Sequence, residues 1–155
     1  MSQPRVGVKA LIIDDGKVLL NHYVDDRGGE AYALPGGGQQ HRESQPEALV
    51  RECEEEIGAL VEVHQVALIY EVMMERRMVG GAPIPPFHQV NTVYWCGLAE
   101  GEEPGLGPSP DRGQAGTAWI ALDELDAHPI HPVQLGAWLQ SDPSSRPLSL
   151  GVTGV

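Results

Sequence analysis

The residues best equipped for chemistry are three glutamates within five positions, Glu52, Glu55 and Glu56, in the segment Arg51-Glu-Cys-Glu-Glu-Glu-Ile-Gly58. On a helix each residue advances by about 100°. With Glu52 set at zero, Glu55 falls near about −60° and Glu56 near about +40°, so the three carboxylates share an arc of roughly 100°. Like charges at these spacings repel and weaken a helix. The same cluster supplies hard oxygen ligands of the kind that suit Mg²⁺ or Mn²⁺. Taken alone, a Glu-rich face is more often plain solvated surface, so the metal reading depends on its surroundings. Just upstream lies a glycine run, Gly36 to Gly38, whose exposed backbone carbonyls can complete a metal shell. Glu43 and Arg51 can form an ion pair beside it.

The element that must position these acids is a helix with clear ends. Ser44 is placed to act as N-cap, with Glu47 three residues later completing a capping box. Pro46 falls in the first turn, where a missing N–H costs little. Gly58 can close the helix in a left-handed conformation. Leu49, Cys53 and Ile57 form an apolar stripe that can pack on a sheet while the acids occupy the neighbouring edge.

Around the helix the pattern is mostly strand. Residues 6–13 and 17–23 are apolar runs joined by Asp14-Asp15-Gly16, a hairpin signal. Residues 25–30 read as a loop, and 32–34 as a short apolar piece stopped by Pro35 and the glycines. Strands are expected over 61–71, 88–98 and 117–120. Residues 78–86 read as a loop, since three prolines and two glycines cannot sit inside a sheet or helix. Residues 100–114, rich in Gly, Pro and acid, read as a surface loop. Short helices are expected over 122–128 and 132–139, with residues 141–155 a loosely held tail. Strands, a helix, more strands and then helix indicate an α/β or α+β domain, and 155 residues suit one domain.

Charge excludes several functions. There are 22 Asp and Glu against 10 Lys and Arg, a formal charge of −12. Such a surface repels a nucleic-acid backbone and an anionic membrane alike. A phosphate-bearing ligand would need a carboxylate-held divalent cation to neutralise it. No apolar run approaches a membrane span. No secretory leader is recognisable, and two cysteines make no disulfide framework, so a cytoplasmic location is expected. The six histidines do not cluster, and His22, His64 and His88 are read as structural. Cys53 and Cys96 are read as core.

The spacing of Gly37, Glu43, Arg51, Glu52, Cys53, Glu55, Glu56, Gly58 and Ala59 resembles the Nudix family signature, G-x5-E-x7-R-E-U-x-E-E-x-G-U, with U a bulky apolar residue. Every fixed letter matches over residues 37–59. Cys53 and Ala59 are small for their U positions, a departure that touches packing. The strands before this box and Trp119 on a late strand extend the likeness to most of the chain.

The resemblance implies a three-layer α/β/α sandwich with a mixed β-sheet. It also implies hydrolysis of a nucleoside diphosphate linked to another moiety, by water attack on phosphorus. Glu52, Glu55, Glu56 and the Gly36 carbonyl would hold Mg²⁺, with Mn²⁺ an alternative. Glu52 is the first choice of base, with Glu100, Glu102 and Glu103 as loop alternatives, and Glu43 and Arg51 would be an orienting pair. For the substrate, Phe87 is the preferred stacking residue over Tyr70, Tyr94 and Trp95. Arg27, Arg76 and Arg77 are the candidate phosphate contacts. Patterns associated with coenzyme A, NADH and ADP-ribose cleavage are not found, which leaves nucleoside triphosphates, nucleotide sugars and dinucleoside polyphosphates open. A small-molecule nucleotide is the expected partner, without nucleic acid or membrane, and a homodimer is left open. A non-cleaving nucleotide sensor is the alternative reading.

Overall fold

The computed structural model describes residues 3–79 and 81–154, with the side chains of Arg77 and Val79 outside the description. Its centre is β1 (Arg5–Asp14), where apolar and β-branched residues alternate between two faces. The Asp-Gly turn returns the chain as β2 (Lys17–Val24), followed by β3 (Glu30–Ala33) and β4 (Gly36–Gly38). Helix α1 (Gln45–Ile57) comes next, then β5 (Val61–Met74) and a small hairpin, β6 (Arg77–Val79) and β7 (Ala82–Ile84). The remaining elements are β8 (Phe87–Leu98), β9 (Gln114–Ala121), a 3₁₀ turn at Leu122–Ala127, β10 (Ile130–His131), α2 (Leu135–Gln140) and β11 (Ser149–Thr153).

The strands join in the order β10-β3-β2-β1-β8-β5-β11, with β4 on β1 and β9 on β2. The sheet is mixed: β1 runs parallel to β8, β3 to β10 and β5 to β11, whereas the other pairs are antiparallel. Alternation along the strands gives each face its own core. Val8, Ala10, Ile12 and Leu19 meet Leu49, Cys53 and Ile57 of α1. Leu11, Val18, Leu20, Leu68 and Val93 meet Leu135, Trp138 and Leu139 of α2. Helices on both faces of one mixed sheet make the three layers that the resemblance implied.

Three segments differ from expectation. The glycine run does not merely stop β3 but pairs antiparallel with β1, Gly36 to Gly38 opposite Lys9 to Gly7. The proline-rich stretch 78–86 includes the β6–β7 hairpin: Pro83 lies inside β7 opposite Met78, tolerated because both strands of a two-stranded ribbon are edges, and Pro85 and Pro86 follow the strand. The segment 141–155, expected to be loosely held, places β11 on the open edge of β5. It is fastened there by Trp138, whose indole N–H donates to Pro147 O at 2.8 Å, and by the Arg146 guanidinium 4.6 Å above the Trp138 ring.

Candidate active site

Helix α1 carries the box, and its start follows the sequence. Ser44 Oγ accepts from Glu47 N at 3.3 Å, and Glu47 Oε2 accepts from Ser44 N at 2.7 Å. Gly58 ends the helix at φ 62°. An irregular strap, residues 99–113, then runs along the helix end. The N–H groups of Ser109, Gly107 and Gly105 donate to the carbonyls of Glu55, Glu56 and Ile57, each at 2.9 Å. These carbonyls have no partner within the helix, so the strap completes the last turn.

Arg51 gathers the acids at the other end of the cluster. It donates through Nε to Glu43 Oε2 at 3.1 Å and through a second nitrogen to Glu43 Oε1 at 2.6 Å. Its remaining nitrogen reaches Glu52 Oε1 at 2.9 Å and Glu55 Oε2 at 3.4 Å. It also donates to Gly38 O at 3.1 Å, tying the helix to β4. The two-pronged contact holds the Glu43 carboxyl below its ordinary range and raises the guanidinium well above its own. Glu52 lies against Gly37, where a β-carbon would collide with its carboxylate.

Glu56 differs from its neighbours. It is only 3% exposed, and Oε1 accepts from Asn21 Nδ2 at 3.0 Å and from Gly36 N at 2.9 Å. Burial pushes its pKa up to about 7, against the Gly36 hydrogen bond and the nearby Lys9 charge. Lys9 Nζ donates to Gly36 O at 3.3 Å. Gly36 adopts φ 141°, and a β-carbon there would collide with Val8 O. Only glycine lets this backbone present its N–H to Glu56 and its carbonyl on the same strand.

Sequence reasoning missed Lys9, Asn21, Tyr23, Asp111 and Gln114. Tyr23 OH donates to Asp111 Oδ2 at 3.2 Å, and Gln114 Nε2 donates to Glu56 O at 2.8 Å. The available signal was a polar residue inside each apolar strand: Lys9 in Val-Gly-Val-Lys-Ala-Leu and Asn21 in Val-Leu-Leu-Asn.

Other expected residues lie elsewhere. Glu102 accepts from Leu60 N at 3.2 Å, at the exit of the helix. Phe87 sits at the start of β8 beside Met73, Met74 and His88, with the Arg5 guanidinium carbon 5.8 Å from its ring centroid. Arg5 also packs across Gly38, so Phe87 connects to the glycine strand through Arg5. Arg27 lies in the β2–β3 loop, where its backbone N–H donates to Asp25 at 2.9 Å, and none of its side-chain contacts among the described residues reaches the box. Arg76 is exposed beyond β5, and the Arg77 side chain lies outside the described residues. His22 and His88 pair with Glu30 and Glu71 at 2.9 and 2.6 Å. Cys53 is fully buried, and burial holds its thiol well above the ordinary value.

A NUDIX domain profile matches residues 3–139. The chain belongs to the Nudix family. A Mycobacterium tuberculosis protein provisionally named 8-oxo-dGTP diphosphatase 3 is 29% identical over 136 residues, covering 85% of this chain. The chain spans only 58% of that relative's length. A MutT NUDIX hydrolase from Burkholderia pseudomallei is 28% identical with a TM-score of 0.59, covering 90% of this chain and all of the other. A NUDIX hydrolase from Nitrosomonas europaea shares the fold at a TM-score of 0.64 and 22% identity, covering 88% of each chain.

The donor set of this Nudix domain suits a hard divalent cation. Glu43, Glu52, Glu55 and Glu56 face two cations, Arg51 and Lys9, which leaves two negative charges uncompensated when all are ionised. Glu56 Oε2 takes no hydrogen bond among the described residues. No three acidic, His or Cys side chains among the described residues already converge as a metal-holding group. Arg51 holds Glu52 Oε1 and Glu55 Oε2, so a cation would compete with it for these oxygens.

Proposed function

We propose that this Nudix domain is a Mg²⁺-dependent pyrophosphohydrolase, with Mn²⁺ able to substitute, acting on a nucleoside diphosphate linked to another moiety. The observation that carries the reading is that β4 holds Glu56 at the Gly36 N–H and Glu52 against Gly37, while Arg51 joins Glu52 to Glu55, all on a helix strapped at its end. Nucleoside triphosphates, nucleotide sugars and dinucleoside polyphosphates are the substrate classes. The name of the Mycobacterium relative favours testing an oxidised purine triphosphate first.

Glu52, Glu55, Glu56 and Gly36 O would hold the cation, which when bound neutralises phosphate charge and lowers the pKa of water. Phosphoryl transfer demands mainly positioning and charge compensation from the protein. Glu52 is the proposed base: Arg51 fixes Oε1, and Oε2 takes no hydrogen bond among the described residues. It accepts the water proton as the water oxygen bonds to phosphorus and the anhydride P–O bond breaks, releasing two phosphorylated products. Glu43 acts on Arg51 and so orients Glu52. Phe87 and Arg27 are the proposed substrate contacts, with Arg5 added by its position between Phe87 and Gly38.

The test is a product-resolved screen with Mg²⁺ against 8-oxo-dGTP, ordinary nucleoside triphosphates, ADP-ribose, nucleotide sugars and dinucleoside polyphosphates. Cleavage of at least one phosphoanhydride, with no action on phosphomonoesters, is expected. Tight binding without cleavage in either metal would replace this reading with a nucleotide sensor.

A further inference from the structure

Asn21 is fully buried in β2, flanked in sequence by Leu20 and His22, with Leu19 and Leu20 also fully buried. An apolar residue would pack at this position without polar cost. The asparagine instead spends its amide on one contact. Nδ2 donates to Glu56 Oε1 at 3.0 Å, with Tyr23 OH at the limit of contact, 3.5 Å away. Its own oxygen, Oδ1, is sealed from solvent with no donor. The NH₂ group faces Oε1, the orientation required whenever Glu56 is ionised, since an ionised carboxylate only accepts hydrogen bonds. An orphaned buried acceptor is unfavourable, so the contact to Glu56 must compensate for it.

The two carboxylate oxygens of Glu56 are thereby made unequal. Oε1 is held from two sides, by Asn21 from 35 positions away and by Gly36 N–H from 20 away. Oε2 takes no hydrogen bond and is not among the sealed, orphaned atoms of the described residues. Behind Asn21, Tyr23 is anchored to Asp111 of the strap, and Gln114 holds the Glu56 carbonyl.

We propose that Asn21, braced by Tyr23 and Asp111, is a positioning residue that locks Glu56 Oε1 to β2 and leaves Oε2 as the oxygen offered to the cation. This rests on the metal-binding role proposed above for Glu56. Partners behind metal ligands typically tune affinity by about 10- to 100-fold.

The experiment is Mn²⁺ titration of the full chain, read by the loss of the free-ion electron paramagnetic resonance signal, beside melting curves in EDTA. Asn21→Ala should raise the Mn²⁺ dissociation constant by about tenfold. Asn21→Ser, which keeps a donor, should fall between it and the wild type. Tyr23→Phe should shift affinity in the same direction by a smaller factor. Turnover lost in Asn21→Ala at low Mg²⁺ should return as Mg²⁺ approaches saturation. A purely structural asparagine would lower the melting temperature in EDTA and leave the Mn²⁺ constant of the folded protein within twofold, which overturns the proposal. Should Asn21→Ala not fold, unchanged affinity in both Asn21→Ser and Tyr23→Phe overturns it equally. Absence of Mn²⁺ binding by the wild type would instead remove the metal reading itself.

Discussion

Glu56 is the residue where stability and function pull apart. Its folded pKa of about 7 lies above the ordinary 4.5, because burial disfavours the charged form. Between these values the folded state binds the proton more tightly than the unfolded one. Without metal, the associated stability is therefore present at low pH and is lost as pH rises through about 7. The loss amounts to roughly 3 kcal/mol at most. Urea unfolding in EDTA at pH 5 and pH 8 should show that drop in the wild type and a much flatter dependence in Glu56→Gln. Equal slopes in the two proteins would contradict the burial argument. Glu43 and Glu52 differ in another way. Among the described residues Glu43 contacts the box acids through Arg51, whereas Glu52 lies against the glycine strand, so Glu43→Ala should lower kcat less than Glu52→Ala. A reversed ranking in steady-state kinetics would exchange their proposed roles.

At the scale of elements, β4 leaves no room for a β-carbon at any of its three glycines. Gly36→Ala places a β-carbon against Val8 O in a backbone conformation that L-residues rarely adopt. The strain should cost about 1–3 kcal/mol, read by urea denaturation. Metal-dependent turnover should fall further than stability explains, because the Gly36 N–H holds Glu56 and its carbonyl is a proposed cation ligand. Turnover matching the wild type would show that the strand relaxes without disturbing Glu56. Helix α1 was legible in the sequence down to its caps, because Ser44, Glu47 and Gly58 act through contacts three or four residues long. β4 was not legible, since three glycines carry no periodicity and their pairing with β1 spans about 30 positions. Asn21 and Lys9 escaped for the same reason. Their partners, Glu56 and Gly36, are remote in sequence, and nothing local marks them beyond polarity inside a strand. β11 was hidden because only the open edge of β5 makes residues 149–153 extended.

The molecule as a whole carries a formal charge of −12, and its acids are densest at one helix edge. Compensation of that charge should therefore register in global stability. A cation that binds only the folded chain stabilises it by mass action. Melting temperatures in EDTA and in Mg²⁺ on the order of 10 mM, a level suited to a weak oxygen-ligand site, should differ, with Mg²⁺ higher. Superimposable curves in EDTA, Mg²⁺ and Mn²⁺ would contradict a folded-state metal site. Among the described residues no helix is long and apolar enough to cross a membrane.

The strap over the end of α1 has a consequence for solvent exchange. Its composition, Glu-Glu-Pro-Gly-Leu-Gly-Pro-Ser-Pro, looks like a linker whose amides should trade protons with water almost freely. Yet the N–H groups of Gly105, Gly107 and Ser109 are occupied by helix carbonyls, whereas Leu106 between the glycines is exposed and Pro108 has no amide proton. Deuterium uptake resolved by residue should therefore alternate along the strap, slow at 105, 107 and 109 and fast at 106. Each slow amide opens when the strap lifts from the last turn of the box helix. Exchange at these three loop positions is thus a clock for how often the brace on the carbonyls of Glu55, Glu56 and Ile57 is released.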